Sequence, residues 1–304
     1  MPKLDITYQN RFKDNLIFDT RIFQNIDPVA KLHDETMGHP LSSAASCLNV
    51  LGSLQFHPDE LKQYLNTFGL NVTRLVKFPT GADVGGRVYN DKGYVVFEWI
   101  GPKRSPINEV GGGRGQRRTS VDAYIIAEID NKITQLLIEW KFTEGISRPI
   151  ALERFSGSKG LERMRRYSKV LTTFRKRGTL PFAFQEEKGL GLHDFAADHL
   201  YQLLRITLLA KCITPIRVGS IEVEDYRVVH LSHSRNDEIE ILHDKYLTHS
   251  PGLTQLSGMK LHDAWKNILS KNEKTKFIGG HWDSALISLK EGPLKTYLVQ
   301  RYYE

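Results

Sequence analysis

The chain is poor in cysteine, in long apolar runs and in the short motifs that announce many enzymes. Its 304 residues include only Cys47 and Cys212, with no CxxC and no Cys/His cluster beside either. That excludes a disulfide scaffold and a zinc ribbon, and leaves two reduced thiols as the expectation. The uncharged stretch over residues 41–58 contains Ser, Asn, Gln, His and Pro, and it cannot supply the roughly 20 apolar residues of a membrane span. Met1–Asp5 leads into polar sequence and not into the apolar core of a secretory leader, so a cytoplasmic protein is expected. The glycine-rich run Gly111–Gly115 carries no GKS or GKT and does not lead a strand directly into a helix. It matches neither the mononucleotide nor the dinucleotide loop. Eleven histidines form no HExxH or HNH-like spacing, and those at His230, His233 and His281 read as structural.

What the chain has is an ordinary globular composition, 40% hydrophobic and 10% aromatic, enough for a full core. Lys and Arg number 42 against 35 Asp and Glu, a net charge of +7. Spread evenly, that decides nothing, but it is not spread evenly. Residues 145–178 hold ten basic residues and two acidic ones, a local charge of +8. A second cluster, Lys103, Arg104, Arg114, Arg117 and Arg118 with the single acid Glu109, ends just before Ser120. Dense positive charge on both sides of one segment suits a phosphate backbone.

That segment has the period of a β-hairpin. Val121–Ile129 and Ile133–Phe142 alternate as strands around Asp130-Asn131-Lys132, residues suited to a tight turn. Tyr94–Ile100 reads as a further strand, returning from a turn at Asn90–Gly93. The first 80 residues read mainly as helix, with Pro58-Asp59-Glu60 as a helix start and Gly69 as a stop. Leu161–Arg177 is a basic helix and Asp194–Cys212 an apolar one, interrupted by Gln202 and Arg205. Val218–Val223 and Tyr226–Leu231 return as strands, and the last 45 residues read as helical. The expected architecture is α/β: one domain with a helical extension over 1–80, a core over 86–232 and a mainly helical addition over 233–304.

Within the hairpin, alternation places Ile138, Trp140 and Phe142 on one face and Glu139 with Lys141 on the other, about 6.6–6.8 Å apart. If the loop is Asp130-Asn131, opposing residues sum to 261 and Asp122 faces Glu139. If it is Asn131-Lys132, they sum to 263 and Asp122 faces Lys141. In either register Asp122 shares a sheet face with Glu139 and Lys141. Two carboxylates beside one ammonium suit Mg²⁺, a hard cation that takes few protein ligands, and the hydrolysis of a phosphodiester. Lys141 would orient or deprotonate the attacking water, or neutralise charge at phosphorus.

From Thr119-Ser120-Val121-Asp122-Ala123 through Glu139-Trp140-Lys141, the chain resembles the PD-(D/E)xK nuclease superfamily. In particular it is similar to bacterial restriction-endonuclease-like proteins with an N-terminal helical extension. The resemblance covers roughly residues 40–232, and Val121 replaces the proline common before the aspartate. It implies a restriction-endonuclease-like core, a mixed central sheet flanked by helices. It also implies Mg²⁺ held by Asp122, Glu139 and the carbonyl of Trp140, with Mn²⁺ as a substitute, and a water activated by Lys141. An upstream acid is common, with Glu98 the first choice and Glu60 and Glu35 as rivals. Double-stranded DNA is then the expected substrate, contacted by Arg114, Arg117 and Arg118 in the loop and Arg163, Arg166 and Lys169 on the basic helix. Gln202 would support the site, and two-strand cleavage would take a homodimer. The competing readings are a non-catalytic nucleic-acid-binding module and an RNA-processing or junction-resolving nuclease on the same fold.

Overall fold

The computed structural model describes residues 17–19, 21–22, 41–79, 93–102, 104–110, 118–143, 155–183, 191–196, 198–243 and 251–304. Six of its strands form one mixed sheet. β1 (Val72–Val76) and β2 (Val95–Trp99) share one edge of β3 (Val121–Ile129), β1 along its C-terminal half and β2 along its N-terminal half. β4 (Lys132–Trp140) runs antiparallel to β3 on its other side. β5 (Ile216–Val218) and β6 (Ile221–Val223) form a separate small hairpin. β7 (Asp225–Ser232) lies parallel to β4, and β8 (Phe277–His281) lies parallel to β7 at the sheet edge.

Among the described residues, six helices of eight residues or more flank the sheet: α1 (Ser43–Leu54), α2 (Pro58–Asn66), α3 (Gly157–Lys176), α4 (Asp198–Ile213), α5 (Leu261–Ile268) and α6 (Pro293–Tyr302). Leu48 and Leu51 of α1, Leu65 of α2 and Leu298 of α6 pack with Ala123, Ile125, Ile138 and Trp140 on one face. Tyr167 and Phe174 of α3, Leu204 of α4 and Trp265 of α5 pack with Tyr124, Ile126 and Leu137 on the other. The expected α/β core with a mixed sheet between helices is therefore present. With both faces covered, β3 and β4 are buried over nearly their whole length.

Three elements differ from the sequence reading. Val72–Val76, inside the stretch expected to be helical, is the edge strand β1. The single strand expected over Val218–Val223 is broken by Gly219, at φ 59°, into β5 and β6. Phe277–His281, expected to be helical, is β8 and completes the sheet, so the chain beyond residue 232 contributes to the core. Its two glycines, Gly279 and Gly280, mask it, since glycine lowers strand propensity. The turn expected at Asn90–Gly93 lies outside the described residues except for Gly93, whose carbonyl accepts from the Phe78 N–H.

The β3–β4 register follows from the turn. Asp130 (φ 50°) and Asn131 (φ 61°) both take left-handed backbone conformations, the requirement of a two-residue type I′ hairpin. Pairing then runs from Ile129 opposite Lys132 to Ala123 opposite Ile138, the first of the two registers. Asn131→Val should cost about 1–2 kcal/mol, because a β-branched residue is strained there, while Asn131→Gly should change stability by less than about 0.5 kcal/mol. Urea denaturation of the two variants measures the difference.

Candidate active site

The β3–β4 ladder ends at Ala123 and Ile138, and the next two residues, Asp122 and Glu139, stand where the strands part. There the carboxylate replaces backbone pairing: the Trp140 N–H donates to Asp122 Oδ2 at 2.7 Å. β4 meanwhile stays with β7, Trp140 beside Leu231, and the Lys141 N–H donates to the Leu231 carbonyl. On the other side of β3, the pairs Phe97–Ala123 and Trp99–Val121 bracket Glu98 and Asp122. Glu98, Asp122 and Glu139 thus occupy one row across three strands. Glu98 is buried at φ 53°, a conformation that costs a non-glycine residue roughly 1–3 kcal/mol and is concentrated at functional sites.

Period-two spacing brings Lys141 Nζ to 2.6 Å from Glu139 Oε1, with the two side chains only 13% and 5% exposed. The backbone around them is held from both sides. Trp140 Nε1 donates to Ser46 Oγ at 2.9 Å, and the Phe142 N–H donates to Ser43 Oγ at 2.7 Å, both on α1. Trp282 stacks on Trp140 with ring centroids 4.8 Å apart, and its Nε1 donates to the Lys141 carbonyl at 2.8 Å.

Burial pushes the Asp122 carboxyl well above the usual carboxylate range. The Glu139 charge pushes it the same way, Lys141 opposes, and Glu98 adds a smaller push upward. The buried Cys47 thiol is raised too, first by desolvation and then by Asp122, Glu98 and Glu139. All three acids therefore lie within electrostatic reach of one point. Among the described residues, no group of three or more His, Cys, Asp and Glu side chains is gathered closely enough to hold a metal. The donor chemistry still fits a hard divalent cation, for two carboxylates crowded against each other out of water are what such a charge relieves, and Mg²⁺ takes one or two carboxylates and keeps its waters.

Of the residues singled out in the sequence, the fold gathers Asp122, Glu139, Lys141 and Glu98, together with the Trp140 backbone. Glu60 lies at the start of α2, and no interaction ties it to Asp122; Glu35 is outside the described residues, as are Arg114 and Arg117. Arg118, expected as a surface contact, is buried at 6% exposure. Arg166 is also turned inward, its side chain 9% exposed and paired with Glu162 at 2.6 Å. Helical spacing puts Arg163 and Arg166 toward the buried flank of Tyr167, while Lys169 is exposed along with Arg165 and Lys176. Gln202 is half-buried on α4, with no interaction that carries it to the carboxylates.

A network beside the site went unread in the sequence. Glu109 Oε2 accepts from the Thr119 N–H at 2.6 Å, and Oε1 accepts from Thr119 Oγ1 at 2.7 Å, Tyr167 at 3.1 Å and Arg205 Nε at 3.1 Å. It joins the chain three residues before Asp122 to α3 and α4. Two signals pointed to it: Glu109 is the one acid in a basic cluster, and Arg205 interrupts an apolar helix.

Residues 9–303 match the model of a family described as "Restriction Endonuclease associating with ARP". The chain belongs to this family. No curated protein and no solved structure matches it. As a member of a restriction-endonuclease family with a mixed sheet between helices, the chain has a restriction-endonuclease-like fold, and the family points to a nuclease.

The raised Asp122 carboxyl gives a signed expectation. An acid whose proton affinity is raised by folding favours the folded state at low pH and loses that stabilisation as pH rises through its folded value. Asp122→Asn keeps an oxygen for the Trp140 N–H and removes the repulsion, so at neutral pH without divalent metal it should unfold at a higher temperature than wild type. Differential scanning calorimetry at pH 7 and pH 4 should show the gain shrinking at the lower pH.

Proposed function

We propose that the protein is a Mg²⁺-dependent endodeoxyribonuclease that hydrolyses phosphodiester bonds of double-stranded DNA, in the manner of a type II restriction enzyme. One observation carries the reading: Asp122, Glu139 and Lys141 meet at the parting ends of β3 and β4 in a chain of a restriction-endonuclease family. Asp122, Glu139 and the Trp140 carbonyl would hold the metal, with Mn²⁺ as a substitute. Bound there, the ion would polarise a phosphoryl oxygen and lower the pKa of a bound water. Glu98, in the same row, is the upstream acid of this arrangement.

The chain's own groups do the rest. Lys141, held beside Glu139, has its ammonium in place to orient the attacking water and to meet charge developing on the phosphoryl oxygens. The Trp282 N–H on the Lys141 carbonyl and the two α1 serines hold residues 140–142 against displacement, so the catalytic groups are positioned before substrate arrives. Arg165, Lys169 and Lys176 present a charged stripe at helical spacing on the exposed side of α3, suited to a phosphate backbone. One site per chain and two strands to cut make a homodimer the working assembly.

Purified protein incubated with plasmid and genomic DNA should nick or linearise it with Mg²⁺ or Mn²⁺ and not with EDTA. Asp122→Ala, Glu139→Ala and Lys141→Ala should each slow cleavage at least about a thousandfold, the rate equivalent of several kcal/mol of lost charge stabilisation. Cleavage of RNA in preference to DNA would move the reading to RNA processing. Salt-dependent DNA binding with no cleavage, unchanged by Mg²⁺ and by Glu139→Ala, would leave a binding module. Separately, Lys169→Glu with Lys176→Glu should weaken DNA binding and flatten the plot of log K against log salt by about 0.9 for each phosphate no longer neutralised.

A further inference from the structure

The carboxyl ends of β7 and β8 form a second polar site that continues the first. Parallel pairing sets Glu139 beside His230 and His230 beside Gly279. Two residues further on, Ser232 stands beside His281, and Lys141, bonded through its N–H to the Leu231 carbonyl, heads that same row. With neighbouring strands about 4.8 Å apart, the His281 backbone lies roughly 10 Å from that of Lys141. The carboxyl ends of parallel strands are where open α/β sheets bind ligands. Here a cavity of about 170 Å³ opens between β8 and α5.

One wall is a fixed imidazole. His262 Nε2 lies 2.9 Å from His230 Nδ1, and the His262 ring rests on Gly279 so closely that a Cβ there would fall 2.3 Å from His262 Cγ. Burial, followed by the nearby His281, lowers the pKa of this ring to about 4, so it is neutral. Ile239 and Leu261 line the cavity with apolar surface, and His281 Nδ1 is buried with no hydrogen-bond partner among the described residues.

The charges at the mouth exclude the simpler ligands. Lys260 and Lys266 are matched by Glu240 and Asp263, and Glu240 Oε1 lies 3.2 Å from Lys260 Nζ and 3.4 Å from His281 Nε2. A free phosphate would meet two carboxylates, and a metal ion would meet two ammonium groups. A neutral heterocycle carrying both donors and acceptors meets neither penalty.

We propose that this cavity takes up a nucleobase of the nucleic acid held at Asp122, Glu139 and Lys141, and that it is a sequence-reading pocket; the assignment rests on the nuclease reading above. The base stacks on the His262 ring, as unstacked bases do on aromatic side chains. Glu240 accepts from an exocyclic amino group, and Lys266 donates to a ring nitrogen or carbonyl oxygen, the pairings by which these side chains distinguish base edges. A base reaches the pocket only by leaving its stack, so the site acts on extruded or terminal nucleotides.

Ligand-observed NMR titration of the metal-free protein with each of the four deoxynucleosides tests the pocket without requiring cleavage. At least one should bind saturably, and Lys266→Ala and Glu240→Gln should each weaken it tenfold or more. Lys266 is exposed, so its truncation leaves folding intact. If the wild type binds none of the four, or if both variants bind as tightly as wild type, the pocket assignment is wrong whatever the plasmid assay shows. In cleavage, sequencing of cut ends should show that Lys266→Ala relaxes base preference at one position near the cut. Loss of all cutting in wild type as well would overturn the nuclease reading instead, a result the nucleoside titration does not share.

Discussion

The two-residue turn at Asp130 and Asn131 sets the register on which the rest of the site depends. Side chains alternate across a strand, so a one-residue slip between β3 and β4 would send Ile138 and Trp140 to the wrong layer and carry Glu139 with them. Both turn residues are held at positive φ, and the apolar layers on either side of the sheet penalise any other pairing. The same register brings Asp122 to the point where the ladder stops and lets its carboxylate take the Trp140 N–H. A backbone donor that would otherwise lose its partner as the strands diverge is thus satisfied by the Asp122 carboxylate.

The price of this arrangement is a concentration of charge out of water. Glu98 and Glu139 are buried, and Asp122 sits between them. Lys141 compensates only part of it, through its pair with Glu139. Around these charges the fold is tied from both sides: Ser43 of α1 accepts from the Phe142 N–H, Ser46 of α1 accepts from the Trp140 indole, and Trp282, just after β8, donates to the Lys141 carbonyl. A site that is electrostatically strained and mechanically rigid is what differential stabilisation of a charged transition state calls for. Incoming cationic charge would relieve the repulsion that the free protein carries.

Two further polar systems extend from this row. Toward β2, the Glu109 network joins Thr119 to Tyr167 and Arg205, so the strand bearing Asp122 is anchored to both helices of the crossover between β4 and β7. Toward β8, the line from Glu139 through His230 to Gly279 and His262 leads into a cavity with its own fixed ring wall. Both systems thus adjoin the one sheet that carries Asp122, Glu139 and Glu98.

Much of the core was legible in local pattern. Period two identified β3 and β4 and put Asp122, Glu139 and Lys141 on one patch; the turn residues left only two registers, and helical spacing found α3. Other features were invisible because they depend on partners distant in the chain. Gly279 and Gly280 look like strand breakers until β8 is seen against β7, where the first of them makes room for His262. Arg118 and Arg166 look like surface charge in the sequence, yet Arg118 is buried and the Arg166 side chain is only 9% exposed beside Glu162. The histidines at 230, 262 and 281 have no motif spacing, because two parallel strands and helix α5, from separate parts of the chain, bring them together. The sequence alone determined that Asp122, Glu139 and Lys141 share one patch of the sheet, since alternation within one hairpin is a local property of the backbone. Only tertiary structure decided which charges face solvent and what lies beside the site, because strand order and helix packing are set by contacts between residues far apart in the chain.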